Sequence, residues 1–411
     1  MKILIFSTAY LPFIGGAELA IQEITKRIPD ASFSLITARF RRSIPAYIKT
    51  GNMEIFRVGF GTPFDKWLLP WLGLRTAKRL NAAQPFTAVW SMMASQASVA
   101  AAWYKNAFPT ARLVLTLQEG DEEEHLKRYV FGSDFLYRLL IQPWHLFVFK
   151  KADAITVISN YLAARAKRNS TAEVVVIPNG VDVEKFQITS TTFQTNLKSQ
   201  LGIKEDEKVV ITTSRLAKKN GVGDLIEAMR YLPENVKLLI LGSGDLEKNL
   251  KLRTSNLQLT NRVRFVGYVP HAELPSYLHA SDVFCRPSLS EGFGSSFIEA
   301  MATGVPVVAT PVGGIPDFLF SARESPLLSE SSSPRTVLGS GERTVLGEQT
   351  VLFCRVGDPK DIAEKVQLLL SNDELRNRII ENASRMVCEK YEWNGIAEKM
   401  GVVFHTCNEI G

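Results

Sequence analysis

Two glutamates eight residues apart, Glu291 and Glu299, bracket a glycine-containing turn in the stretch SLSEGFGSSFIEAMATG, Ser288 to Gly304. A helix is predicted to open near Ser295. Backbone N–H groups of Gly292 to Ser295, with the positive end of that helix behind them, would attract a phosphate. Two ionised carboxylates set apart can each accept hydrogen bonds from hydroxyls. The combination suits an anionic, hydroxyl-rich ligand. Three chemistries are compatible with it: the acid/base couple of a glycoside hydrolase, a divalent-metal site, and two hydroxyl acceptors for a nucleotide sugar. The stretch has no Asp-rich cluster or additional His, which argues against metal. The non-functional alternative is a surface glutamate plus a helix-start glutamate favoured by the dipole.

A second group of polar residues, Ser214, Arg215, Lys218, Lys219, Asn220 and Gly221, lies between a predicted strand and a predicted helix. Open α/β sheets bind ligands at such positions. An Arg and a Lys four residues apart can clamp two phosphates, the Arg by its fork and the Lys as a point charge. The alternative is a solvated basic loop. Gly15 and Gly16 hold the same place after the first strand, where they permit close backbone approach to a ligand or make a tight turn. Gln118, Glu119, Gly120 and Asp121 follow another strand; the acidic run Asp121 to Glu124 and His125 read as solvated surface. The apolar run Trp67 to Leu72 has two readings, a membrane-interface wedge for a lipid acceptor and, favoured here, burial in the first domain.

The elements that would position these residues alternate along the chain. Strand-like runs are predicted at Lys2 to Ser7, Phe33 to Thr37, Glu54 to Val58, Ala88 to Ser91, Val114 to Gln118, Ala154 to Ile158 and Val174 to Ile177, with helical or irregular segments between most of them. Such alternation implies a mainly parallel, doubly wound sheet. Pro178, Asn179 and Gly180 then break the pattern, and a polar, Thr-rich stretch runs to about Lys204, which marks a domain boundary. The alternation restarts at Val209 to Thr213 and continues to Pro306 to Ala309, and helices follow to the end. Residues 1–180 are therefore expected to form one domain and 205–388 a second, with a helix over about 390–411 packing back on the first. Between 321 and 350 the pentapeptide RTVLG occurs twice, at Arg335 to Gly339 and Arg343 to Gly347, in what reads as an exposed mobile insertion.

The bulk numbers fit this division. The chain has 411 residues, 45% hydrophobic and 22% charged, enough for two domains of roughly 150 to 200 residues. The apolar start lacks a cleavage site and runs into a glycine turn, so it reads as a buried strand instead of a signal peptide. No apolar run reaches the roughly 18 residues of a spanning helix, and Phe135 to Phe149, broken by Arg138, Gln142, Pro143 and His145, reads as a core helix. The four cysteines form no CxxC pair, which suggests neither zinc nor a disulfide framework and fits a reducing cytoplasm. A net charge of +6 suits acidic ligands or an anionic membrane surface, and without an aromatic-basic motif it does not argue for nucleic acid.

Taken together, the motifs resemble those of the family 4 retaining glycosyltransferases of the GT-B fold: GGAE at Gly15 to Glu18, IPNGVD at Ile177 to Asp182, SRLAKKNG at Ser214 to Gly221, LGSGDL at Leu241 to Leu246, the run Arg286 to Thr310, PVGGIPD at Pro311 to Asp317, and YEW at Tyr391 to Trp393. The resemblance covers nearly the whole chain. It implies two Rossmann-like domains facing each other across a cleft, with the acceptor on the N-terminal side and the nucleotide-sugar donor on the C-terminal side. It implies that Arg215 and Lys219 hold the donor diphosphate and that Glu291 contacts the sugar. Gly292, Phe293 and Gly294 would lie near sugar and phosphate, Glu299 at the ribose, the base near Gly267 to Val269, and Gly15 and Gly16 across the cleft. Gln118 stands where many relatives have a His and becomes a candidate acceptor or sugar contact. The implied reaction retains anomeric configuration without metal or cofactor and moves a hexose-type sugar to a saccharide, lipid-linked or small-molecule hydroxyl. The implied location is cytoplasmic, including the inner membrane face. The alternatives are a nucleotide-sugar epimerase on the same scaffold and a non-catalytic sugar-nucleotide-binding protein.

Overall fold

A computed structural model describes residues 1–13, 15–118, 127, 130, 132–188, 197–320 and 349–405. The expectations for Glu119 to His125 and for the RTVLG duplication lie outside the described residues.

The first half contains β1 (Lys2–Phe6), α1 (Gly16–Lys26), β2 (Ser32–Ala38), β3 (Tyr47–Thr50), β4 (Met53–Val58), α2 (Asp65–Ala83), β5 (Ala88–Met92), α3 (Gln96–Ala107) and β6 (Arg112–Leu117). One turn at Asp134–Leu136 and a π-turn at Tyr137–Ile141 lead into α4 (Gln142–Lys151), followed by β7 (Ala154–Val157), α5 (Asn160–Asn169) and β8 (Glu173–Val176). The eight strands lie in the order β3-β4-β2-β1-β5-β6-β7-β8. Only the β3 and β4 pairing is antiparallel; the others run parallel. Parallel strands are buried on both faces, which is why KILIF and AVWSM read as continuous apolar runs instead of alternating ones. On one face α1 covers the sheet through Ala20, Ile21 and Ile24, and on the other α2 and α3 do so through Leu69, Ala77, Ala97 and Ala101.

After the short α6 (Val183–Gln187) the second half contains β9 (Lys208–Thr213), α7 (Val222–Ala228), β10 (Val236–Leu241), α8 (Glu247–Asn256), β11 (Val263–Gly267), α9 (Leu274–His279), β12 (Val283–Arg286), α10 (Ser295–Ala302), β13 (Val307–Ala309) and β14 (Leu352–Phe353), then α11 (Pro359–Ser371), α12 (Asp373–Lys390) and α13 (Trp393–His405). These strands form a parallel sheet in the order β11-β10-β9-β12-β13-β14. Each sheet reverses its winding once, between β1 and β5 in the first and between β9 and β12 in the second. The loops after those strands diverge there and leave a crevice at the carboxyl ends.

The chain crosses back at its end. Val181 N–H donates to Tyr391 O at 2.7 Å, and α13 buries Trp393, Ile396, Met400 and Phe404 in the core that holds α1 and β1. The Phe404 ring meets Trp90 of β5 edge-on, centroids 5.4 Å apart. A single buried cluster extends from Leu162 and Phe186 to Phe293, Phe297 and Phe318, so the halves share apolar packing.

Two expectations about burial are corrected. Phe135 to Phe149 is not a core helix: Val148 and Phe149 are buried, but Phe135, Leu139, Leu140 and Trp144 are exposed. In α2, Leu69 and Pro70 face the sheet while Trp67 and Trp71 are 45% and 63% exposed. From Trp67 to Leu74 α2 is apolar all round, so periodicity could not say which side met the core.

Candidate functional site

The loops after β9 and β12 are built as one unit. Leu289 N–H donates to Lys219 O at 2.7 Å, and the Asn220 side chain donates to Arg215 O at 2.5 Å. This holds Arg215, which is exposed, and Lys219, which is half-buried, beside the Glu291 turn. Arg286, the last residue of β12, ties the two loops together from below. Its guanidinium donates to Asn220 Oδ1 at 3.1 Å, to Ser296 Oγ at 2.7 Å, and to the Glu291 carboxylate. It also lies over the Phe297 ring at 5.4 Å. Arg286 is itself only 8% exposed, and burial lowers its pKa to about 10, which leaves it cationic at neutral pH.

Glu291 is thereby fixed in direction. One carboxylate oxygen accepts from Arg286 and the other from Gly292 N–H at 3.1 Å. The Gly292 N–H, expected from the sequence to be open to a ligand phosphate, is here bonded to its neighbour. Beneath the turn, Gly314 N–H donates to Glu291 O at 3.0 Å. Gly313 has φ of 56°, and a Cβ there would sit 2.0 Å from Glu291 O, so the PVGG motif is the floor that the EGFG turn rests on. Phe293 is buried against Phe318 and Tyr391, which leaves its backbone as the part facing the turn. Gly294 is the N-cap of α10.

Glu299 lies one helical turn into α10, 7% exposed, and its Oε1 is 3.0 Å from His271 Nε2. His271 Nδ1 is 3.2 Å from Lys185 Nζ. His271 comes from the loop before α9 and Lys185 from α6, so neither was visible as a neighbour of Glu299. Gly267 to Val269, the expected base-side loop, closes β11 at the same carboxyl edge, with Gly267 O accepting from Gly242 N–H at 2.7 Å. Among the described residues no group of three or more His, Cys, Asp or Glu is placed to hold a metal ion.

Across the crevice, the glycine loop after β1 meets this unit. A Cβ on Gly16 would lie 3.5 Å from Asn179 Nδ2, 3.9 Å from Gln118 Oε1 and 4.0 Å from Ser295 Oγ. Gln118 and Asn179 exchange amide hydrogen bonds in both directions at 2.8 Å, and Asn179 Nδ2 lies 3.4 Å from Ser295 Oγ. Gln118 is therefore half of a closed amide pair. The structure brings together Gly16, Gln118 and the start of α10, with Gly15 alongside, while Arg215, Lys219 and Glu291 lie on the joined loops after β9 and β12 and Glu299 lies within α10 against His271. Asn179, Arg286 and His271 were missed as individual residues, although the first two stand inside motifs quoted above. A second tie spans the halves: Asp317 of PVGGIPD accepts from Tyr161 N–H at 3.1 Å, at the start of α5. Burial raises the Asp317 pKa, opposed by the hydrogen bonds it accepts from Tyr161 and from the backbone and side chain of Asn160.

Comparison with known proteins accounts for this arrangement. Glycosyltransferase Family 4 matches residues 14–185, and Glycosyl transferases group 1 matches residues 193–337. The chain is 30% identical over 271 residues to an uncharacterized glycosyltransferase of Methanocaldococcus jannaschii, covering 65% of this chain and 63% of that one. It spans less than two thirds of the length of the first curated relatives it matches. Among solved structures, sucrose-phosphate synthase of Thermosynechococcus elongatus superposes with a TM-score of 0.77 at 20% identity, over 98% of both chains. Anabaena HepE in complex with UDP-glucose superposes at 0.73 and 21% identity, over 98% of this chain and 99% of that one. At these identities the structural likeness is one of fold. The paired doubly wound sheets and the two family matches, one to each half, agree: the chain belongs to the family 4 glycosyltransferases and has the GT-B fold.

Proposed function

We propose that this glycosyltransferase takes a hexose-type sugar from a nucleotide-diphosphate sugar and places it, with retention of configuration, on a hydroxyl acceptor. The observation that carries the reading is the buried Arg286, which locks the Arg215–Gly221 loop and the Glu291 turn into one surface at the switch point of the second sheet. On that surface Arg215 and Lys219 neutralise the departing diphosphate, a role that in other enzymes falls to a metal ion. The start of α10 adds its dipole. Glu291, held in one direction, accepts from sugar hydroxyls, and Glu299 accepts from the ribose. The two glutamates recognise and do no acid/base work. The acceptor enters from the first domain and attacks the face that the diphosphate leaves. That Anabaena HepE was solved with UDP-glucose supports a nucleotide sugar as donor.

Thermal stabilisation across UDP-, GDP- and ADP-sugars tests this. A ligand that binds only the folded state raises stability in proportion to ln(1 + [L]/Kd), so one nucleotide series should stand out. Loss of that shift in Lys219→Ala and Glu291→Ala is the expected control. Product analysis with donor alone should give no epimerised sugar nucleotide; such a product would overturn transfer as the reaction.

A further inference from the structure

An apolar concavity of the first domain is lined by none of the residues of the Arg215–Gly221 loop or the Glu291 turn. It is a groove of about 570 Å³ between α2, α3 and the segment leading into α4, a volume in the range of ligand pockets. Trp67, Trp71, Trp103, Leu140 and Trp144 line its outer part, and Thr8, Met93 and Ser95 its inner end. Thr8 and Ser95 follow β1 and β5, the pair at which the first sheet reverses, and their hydroxyls are 2.8 Å apart. The inner end therefore opens at the same crevice as Gly16. Trp71, Trp103 and Trp144 come from three different helices and contact in series, with ring centroids 5.8 and 6.0 Å apart.

The outer rim keeps large apolar side chains in water. Trp71 is 63% exposed, Leu140 53% and Trp144 50%. Tryptophans with one side wet are the residues that settle at a membrane interface. Charge points to the same partner. Along α2 the exposed stripe reads Trp67, Trp71, Arg75, Lys78, at spacings of four, four and three, so all four share one face of the helix. The one acid of α2, Asp65, is buried and holds the Gly61 and Thr62 N–H groups. In α4, Trp144 and Phe147 are followed by Lys150 and Lys151, with the Lys151 ammonium 5.9 Å from the Phe147 ring. Both helices thus run from aromatic at the crevice end to cationic at the far end. His145, also on the groove wall, is kept neutral by burial and by Arg165, its pKa lowered to about 4.

We propose that this groove takes the hydrocarbon part of a lipid acceptor presented by an anionic bilayer, with the Arg75, Lys78, Lys150 and Lys151 side meeting the lipid phosphates and the acceptor's hydroxyl end passing Thr8 and Ser95 into the crevice. The proposal rests on the transfer reaction above and names its acceptor class.

The test uses the full chain with vesicles of phosphatidylcholine alone, of phosphatidylcholine with phosphatidylglycerol, and of the latter carrying bromine on the acyl chains. The expected result is sedimentation with the phosphatidylglycerol vesicles, weakened by salt, and quenching of tryptophan emission by the brominated chains. Trp71→Ser with Trp144→Ser should sharply reduce both partitioning and quenching, leaving only what Trp67 and Trp103 report. Arg75→Glu with Lys78→Glu should cut partitioning at least about ten-fold. These positions are exposed, so urea midpoints and the sugar-nucleotide thermal shift should stay at wild-type values in both variants. Binding that is unquenched, or unchanged in the tryptophan variant, overturns the groove. So does a concentration-dependent dimer lost with the tryptophans, which would make a second copy the occupant. A chain that responds to a sugar nucleotide but ignores all vesicles sinks the lipid acceptor and leaves the transfer reaction standing. Vesicle binding with no response to any sugar nucleotide sinks the transfer reaction, and the acceptor role with it.

Discussion

Arg286→Met is the substitution that most directly probes how the proposed donor surface is assembled. The methionine keeps much of the side-chain volume and removes the guanidinium. Three partners lose their donor: Asn220 Oδ1, Ser296 Oγ and the Glu291 carboxylate. The serine hydroxyl can turn elsewhere, but the Glu291 side chain is 13% exposed and would hold a charge with little water and only the Gly292 N–H. Removing one partner of a buried pair costs about 3–5 kcal/mol, and the partial exposure of Glu291 places the expected loss near the lower figure, about 3 kcal/mol. Urea unfolding read by the shift in midpoint at constant slope measures it. Glu291→Gln in the Arg286→Met background should recover part of the loss, giving a coupling of about 2 kcal/mol in the double-mutant cycle. Sugar-nucleotide binding should weaken in Arg286→Met even under conditions where the fold is intact, because Glu291 no longer has a fixed direction. A loss below about 1 kcal/mol, or an additive cycle, would refute the idea that Arg286 couples the two loops.

The remaining expectations concern the floor of the site, its charges and pH. Gly313→Ala forces a Cβ to within 2.0 Å of Glu291 O at a φ of 56°; it should destabilise by at least about 1–3 kcal/mol and lower sugar-nucleotide affinity, measurable by calorimetry. Lys219→Ala and Arg215→Ala should each reduce turnover by about 10²–10³ with an unchanged circular-dichroism spectrum, and full activity in both would remove them from the site. His145 has its pKa lowered from 6.5 to about 4, by burial first and then by Arg165. Between those values the unfolded chain binds the proton and the folded chain does not, so stability is complete above pH 6.5 and is lost as pH falls toward 4, by at most about 3 kcal/mol from this group. His145→Phe should flatten that part of the pH–stability curve.

What could be read along the chain follows from local physics. A strand in a parallel sheet is buried on both faces and appears as an unbroken apolar run, so β1, β5, β9 and β12 were legible, and the polar loops after them fell at strand carboxyl ends where a crevice must open. Glu291, Arg215 and Lys219 were singled out for that reason. β3 was missed because its four residues are mostly exposed at an edge and too few to show an alternating pattern, and β14 because a two-residue strand has no period.

The sequence by itself determined the two alternating α/β units, the order of their elements and the loops that bear charge, because backbone hydrogen bonding and side-chain periodicity act over a few residues. Only the tertiary structure decided which of those charges meet. Arg286 reaches Asn220 and Glu291 because β12 lies beside β9. His271 reaches Glu299 because the loop before α9 folds over α10. The tryptophans of α2, α3 and α4 converge because those helices share one face of the first sheet, and whether an apolar stretch such as Trp67 to Leu74 turns a given ring inward or outward is settled by its neighbours, not by its own pattern.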